Sequence, residues 1–167
     1  MKPYNEKNNF ADALEESKDF GDIFAIVKRV VKKFLGISRT GLLLYLGDLP
    51  LNIGAYHMIG SNGIVLNRRT LTLISESSKS RIEVNAYIFT VLLHEYLHSL
   101  GYVDEEEVKD LVLDLTRQAF GDDHPVAELV STDPLKRFPF LKIPPEGEPE
   151  TLTLIKDFEK EEKGYIT

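Results

Sequence analysis

Two of the four histidines in this 167-residue chain stand four positions apart, in the run His94-Glu95-Tyr96-Leu97-His98. The residues before them, Ala86-Tyr87-Ile88-Phe89-Thr90-Val91-Leu92-Leu93, are apolar on nearly every face and contain no Gly or Pro. That pattern predicts a helix in the middle of the core. Four residues make just over one helical turn, so both imidazoles project from one face and can meet one ion. Glu95 projects about 100° round the helix from His94, close enough to reach a water on that ion without binding the ion itself. The chemistry such a set supports is hydrolytic. The ion acidifies a water and polarises a carbonyl, while the glutamate takes the water's proton and passes it to the leaving group. Two His and a Glu in an apolar helix are costly to bury unless something neutralises or ligates them. The competing reading is a pair of hydrogen-bonded core histidines beside an unrelated glutamate.

The composition narrows what can complete the set. The chain has no cysteine, which removes a disulfide scaffold, a thiol nucleophile and a thiolate metal site. A metal must therefore be held by His and carboxylates, and Zn²⁺ is the expected ion. A catalytic zinc needs a third protein ligand. The sequence continues Ser99-Leu100-Gly101-Tyr102-Val103-Asp104. Gly101 allows a sharp turn after the helix, which would bring Asp104 back toward the ion and makes it the first choice. Asp104 followed by Glu107 also reads as a helix N-cap with its capping-box partner, a structural role. Helical phase ranks Glu105 and Glu107 next and turns Glu106 to solvent; His124 is the outlying candidate. His124, Tyr96 and Tyr102 could also stabilise an oxyanion. The plainer readings are a solvent-exposed loop histidine and two packing tyrosines.

The segment HExxHxxGxxD resembles the zincin superfamily of metallopeptidases, with metzincin-like spacing and Asp104 in place of the last His. The resemblance covers the core from the hairpin at 54–67 to the second helix, and only residues 94–104 are motif-grade. It implies His94, His98 and a third residue as zinc ligands, Glu95 as the general base, and an edge strand beside the metal that pairs with extended substrate. The hairpin Ala55-Tyr56-His57-Met58 with Ile64-Val65-Leu66-Asn67 is similar in character to that strand; a core sheet element without a substrate role is the alternative. The same segment resembles bacterial rRNA-maturation metallo-endoribonucleases, which also carry two His four residues apart, a leucine-glycine-tyrosine stretch and a third ligand at this distance. Here Glu95 stands where that family has a small residue, and Asp104 where it has His. A third possibility is a zincin-shaped module that binds without turnover; the intact Glu95 argues against it.

Around this centre the chain must build a scaffold. Residues 22–35 put Ile23, Ile26, Val27, Val30, Val31 and Phe34 on one helical face, stopped by Gly36. Residues 41–46 read as a strand, and 55–59 and 64–67 flank Gly60-Ser61-Asn62-Gly63, a strong hairpin signal. Residues 70–74 are either a strand or the lead-in to a helix. The motif helix runs from about residue 80 to 100, and a second from 104 to about 120 buries Val108, Leu111, Val112, Leu115 and Ala119. Five of the eight prolines fall between Pro134 and Pro149. The expected organisation is a single zincin-like catalytic domain over 1–131 and an extended tail over 132–167, packed on it or partly disordered. The fold class is α+β: a small mixed sheet with an edge strand over the site, backed by the 22–35 helix and the buried motif helix.

Charge bears on partners. The chain holds 20 Lys+Arg against 27 Asp+Glu, a net charge of −7. An acidic surface argues against general nucleic-acid or anionic-membrane binding. Between 104 and 123 lie Asp104, Glu105, Glu106, Glu107, Asp110, Asp114, Asp122 and Asp123 against Lys109 and Arg117. Nearly all the excess therefore sits beside the proposed metal, which favours a cationic ligand or a peptide or protein substrate over an RNA backbone. Lys28, Arg29, Lys32 and Lys33 form the one basic helix face, read as solvated. The polar first nine residues lack a targeting pattern and no apolar run is long enough to span a bilayer, so cytoplasmic residence is the expectation.

Overall fold

A computed structural model describes residues 6–78, 80–131 and 152–159. Helix α1 spans Glu6–Glu16 and α2 spans Phe20–Leu35. The start and stop of α2 are written locally: Asp19 accepts the Asp22 amide at 2.8 Å, and Gly36 takes φ 72°, a conformation that costs glycine nothing. Its buried face is Ile23, Phe24, Ile26, Val27, Val30 and Val31. The sheet follows, with β1 at Leu43–Gly47, β2 at Ala55–His57 and β3 at Gly63–Asn67. Helix α3 covers Arg68–Ser77, so the undecided 70–74 stretch is helical, capped by the Asn67 side chain at the Arg69 amide (3.1 Å). Helix α4, Arg81–Ser99, carries the histidine motif, and α5, Glu105–Phe120, is the second predicted helix. Helix α6, Pro125–Ser131, and strand β4, Thr153–Ile155, complete the described chain.

The strand order is β2-β3-β1-β4. The expected hairpin forms, antiparallel, with Ala55 opposite Leu66 and His57 opposite Ile64. Strand β1 pairs parallel with β3 and antiparallel with β4, so the sheet is mixed and the fold class is α+β, as expected. Leu44, Ile64 and Leu66 are fully buried and meet the helical layer. Because α4 is apolar nearly all round, most of it is buried, touching α1, α2, α5, α6 and the strands β2 and β3, while Thr90, Val91, His94 and His98 are half-buried. No helix among the described residues is long and apolar enough to cross a membrane.

Two details position β2. Asn67 is fully buried, and its amide donates to Ile53 O at 2.7 Å and Pro50 O at 2.9 Å. One side chain thus organises the loop that leads into the edge strand. At Gly54 a Cβ would stand 2.8 Å from the Tyr87 hydroxyl and 3.3 Å from Val91 Cγ1. The absent side chain is what lets this strand approach α4.

Part of the predicted tail is structural. Beyond β4, Phe158 stacks on Phe24 with ring centroids 4.2 Å apart. The Glu159 carboxylate accepts the Leu42 amide at 2.9 Å and Lys28 Nζ at 3.0 Å. The rest of the 132–167 tail, residues 132–151 and 160–167, lies outside the described residues.

Candidate metal centre

Helix α4 presents His94 and His98 one turn apart, with Nε2 atoms 3.2 Å from each other. Gly101, at φ 107°, turns the chain so that α5 begins beside them. The carboxylate that arrives is that of Glu105. Its Oε1 lies 2.6 Å from His98 Nε2 and 3.2 Å from His94 Nε2. The ligand atoms of His94, His98 and Glu105 lie within 4.8 Å of one another, close enough to hold one metal ion. His98 is 11 % exposed and Glu105 58 %, so the group opens to solvent on the Glu105 side.

The chemistry of the donors fits a cation. His98 Nδ1 is 2.7 Å from the Tyr102 carbonyl, an acceptor only, so Nδ1 carries the proton. A neutral His98 therefore directs its Nε2 lone pair at the Glu105 carboxylate, an arrangement that repels unless a proton or a metal sits between. Burial, the largest influence, holds the His94 pKa below its ordinary value despite the opposing pull of Glu105. Partial burial pushes Glu105 upward, but hydrogen bonds and charge from His94 and His98 together hold it below the usual carboxylate value. A neutral imidazole and an ionised carboxylate are the protonation states that a metal requires. Bonds of 2.0–2.1 Å in a tetrahedral zinc site put ligand atoms about 3.3 Å apart. Two of the three separations match, and the 2.6 Å one widens by a small swing of the exposed Glu105 side chain.

Glu95, 7 % exposed, points to the same side of α4 as the strand β2. Burial pushes its carboxyl up to about 7, with Glu105 adding to the rise, and His98 and a hydrogen bond from the His57 backbone N–H opposing it. That N–H comes from the edge strand. Gly54 O accepts the Asn67 amide at 2.8 Å, so by alternation 54 and 56 turn their backbone groups toward β3, and 55 and 57 turn theirs away. From Gly54, against Tyr87 and Val91, to His57, at Glu95, the strand advances about 10 Å. Along α4 the corresponding advance is about 9 Å. The edge strand therefore runs beside the motif helix in the same direction, and ends at Glu95.

Of the predicted site residues, His94 and His98 come together and Glu95 stands beside them. Asp104 does not join them: its φ −71° and ψ 123° are extended, and its side chain turns back to cap α5, accepting the Glu107 amide at 3.0 Å. The carboxylate at the histidines is Glu105, the next candidate in line. Glu106 and Glu107 are exposed on α5 and outside the group. His124 starts α6, where Nδ1 accepts the Val126 amide at 3.1 Å and the ring lies 4.8 Å from that of Phe120. Fifteen residues of α5, about 22 Å of helix, separate that end from Glu105. Tyr96 is fully buried, and Tyr102 contributes through its carbonyl. The contact from the His57 amide to Glu95 was not legible in residue types, because a backbone group makes it.

Three of the four basic residues of α2 make contacts within the fold, while Lys32 and Lys33 are exposed. Lys28 pairs with Glu159 and lies over Phe24, Arg29 lies over Phe10, and Lys33 over Phe34. The chain matches no known family model, no curated protein and no solved structure.

Proposed function

We propose that the chain is a zinc-dependent peptidase in which His94, His98 and Glu105 hold the metal and Glu95 is the general base. The observation that carries the reading is the convergence of two imidazole nitrogens and one carboxylate oxygen, with the His98 tautomer fixed by the Tyr102 carbonyl. When bound, zinc supplies Lewis-acid chemistry, acidifying a water and polarising a carbonyl. Glu95 receives a proton on its carboxylate and returns it to the leaving amine; a carboxyl pushed up to about 7 suits both steps near neutral pH. The His57 backbone N–H, on the edge strand, lowers the Glu95 carboxyl pKa against the effect of burial. Peptide is favoured over RNA because the chain carries a net charge of −7 and acidic residues crowd the start of α5 beside the histidines, while Lys28 of the basic α2 face is paired with Glu159.

The test uses the zinc-loaded chain with casein and with structured RNA, each with and without chelator. Casein cleavage that chelator abolishes is expected. Glu95→Gln should keep its zinc and lose about a hundredfold or more in rate. Full cleavage by that variant removes the mechanism, and RNA cleavage with casein untouched replaces peptidase by ribonuclease.

A further inference from the structure

Arg39, in the loop between α2 and β1, joins the end of α4 to the turn between β2 and β3. Its Nη1 donates to the carbonyl of Ser99, the last residue of α4, at 2.8 Å. Its Nη2 donates to Ser61 O at 3.1 Å and to Asn62 Oδ1 at 3.3 Å, in the turn between β2 and β3. Its backbone N–H donates to the Tyr96 hydroxyl at 2.9 Å, and Tyr96 follows Glu95 in the chain. The turn is coupled to the end of β2: Ser61 N–H donates to Met58 O at 2.9 Å, and His57 Nδ1 to Gly63 O at 2.8 Å. One guanidinium therefore ties the end of the motif helix to the turn that closes β2 at His57.

We propose that Arg39 is a positioning residue that fixes the edge strand β2 against α4 and so sets the seat of an extended substrate beside Glu95. The inference rests on the peptidase reading and deepens it. Arginine suits the task because a planar fork can serve two separate acceptor groups at once, whereas a lysine ammonium is a point donor. Its charge also faces the carbonyl end of α4, where orphan C=O groups favour a cation. With the fork removed, β2 keeps its ladder to β3 but loses its register against the helix. Substrate binding then weakens, while His94, His98 and Glu105, held by α4 and α5, keep the metal.

The experiment compares the zinc-loaded wild-type chain with Arg39→Ala, Arg39→Lys and the control Arg68→Ala. Arg68 makes a two-bond ion pair with Asp48, at 3.1 Å for each bond, at the opposite end of β3. Amide exchange at His57, zinc affinity, and KM and kcat on an extended peptide are measured. Arg39→Ala should exchange the His57 amide about tenfold faster and raise KM about tenfold, the scale of one charge-assisted hydrogen bond. Its kcat and zinc affinity should hold, Arg39→Lys should recover only part, and Arg68→Ala should move neither His57 exchange nor KM. Unchanged His57 exchange or an unchanged KM in Arg39→Ala overturns the proposal, as does full recovery in the lysine variant. Should Arg39→Ala not fold, Arg39→Lys carries the same comparison. A wild-type chain that cleaves no peptide overturns the peptidase reading instead, and exchange at His57 then decides the tether alone.

Discussion

Asp104 and Glu105 are adjacent carboxylates with opposite assignments, and a single backbone angle divides them. At ψ 123° Asp104 is still extended, so its side chain folds onto the Glu107 amide. Glu105 is the first helical residue and projects at the His pair. Helical phase alone favours Asp104 because it counts that residue as part of the helix; a cap residue has left the helical period. The two are separable by experiment. Glu105→Ala should weaken zinc binding by more than the roughly 10–100-fold typical of losing an outer partner of a ligand, with little change in stability, since Glu105 is 58 % exposed. Asp104→Ala should cost about 1 kcal/mol of stability as a lost cap and leave zinc affinity unchanged. Competition with a chromophoric chelator and urea unfolding of both variants give the comparison; equal affinity losses would return Asp104 to the ligand set.

At the scale of elements, what was legible in the sequence had local causes. The apolar stripe and Gly36 mark α2, the unbroken apolar run marks α4, and the Gly60–Gly63 turn marks the hairpin. The stretch at 70–74 has too few apolar positions to separate period 2 from period 3.6, and the Asn67 cap settles it as helix. Helix α6 escaped notice because it is short and its cap is a histidine. His124 accepts the Val126 amide on Nδ1, which only an unprotonated nitrogen can do. Burial, partly offset by Glu15, holds its pKa below the ordinary 6.5. A histidine depressed in the folded state binds fewer protons there than in the unfolded chain, so stability rises with pH across the window between the two values. Its contribution is complete above about 6.5 and is lost as pH falls through the lower, folded value. Protonation then sets N–H against N–H at the start of α6. His124→Asn, a cap that does not titrate, should flatten the fall in stability between about pH 7 and pH 5. Thermal unfolding of both proteins over that range checks it, and parallel curves would reject the cap.

Across the whole molecule, the pairings hardest to anticipate were those with the longest sequence separation. Strand β1 lies between β3, in parallel, and β4, which pairs Leu46 with Thr153; no local pattern announces a partner that far along the chain. An appendage and an integral strand look alike in a short apolar run such as Thr151 to Ile155, but the two differ in how they should unfold. Phe158 is 3 % exposed and stacks on Phe24. Phe24 in turn meets the Tyr96 ring edge-on, with centroids 5.4 Å apart, so the C-terminal segment reaches the neighbour of Glu95 through two aromatic contacts. If this segment belongs to the cooperative core, Phe158→Ala should cost about 3 kcal/mol, as truncations of buried aromatic side chains do. The loss should appear in one transition detected alike by far-ultraviolet and tyrosine signals. Glu159→Gln should cost less, because the amide oxygen still accepts from Leu42 while only the Lys28 charge loses its partner. An unchanged midpoint for Phe158→Ala, or a separate early transition, would make residues 152–159 a detachable appendage. The route from the tail to Tyr96 would then have no mechanical consequence for the motif helix.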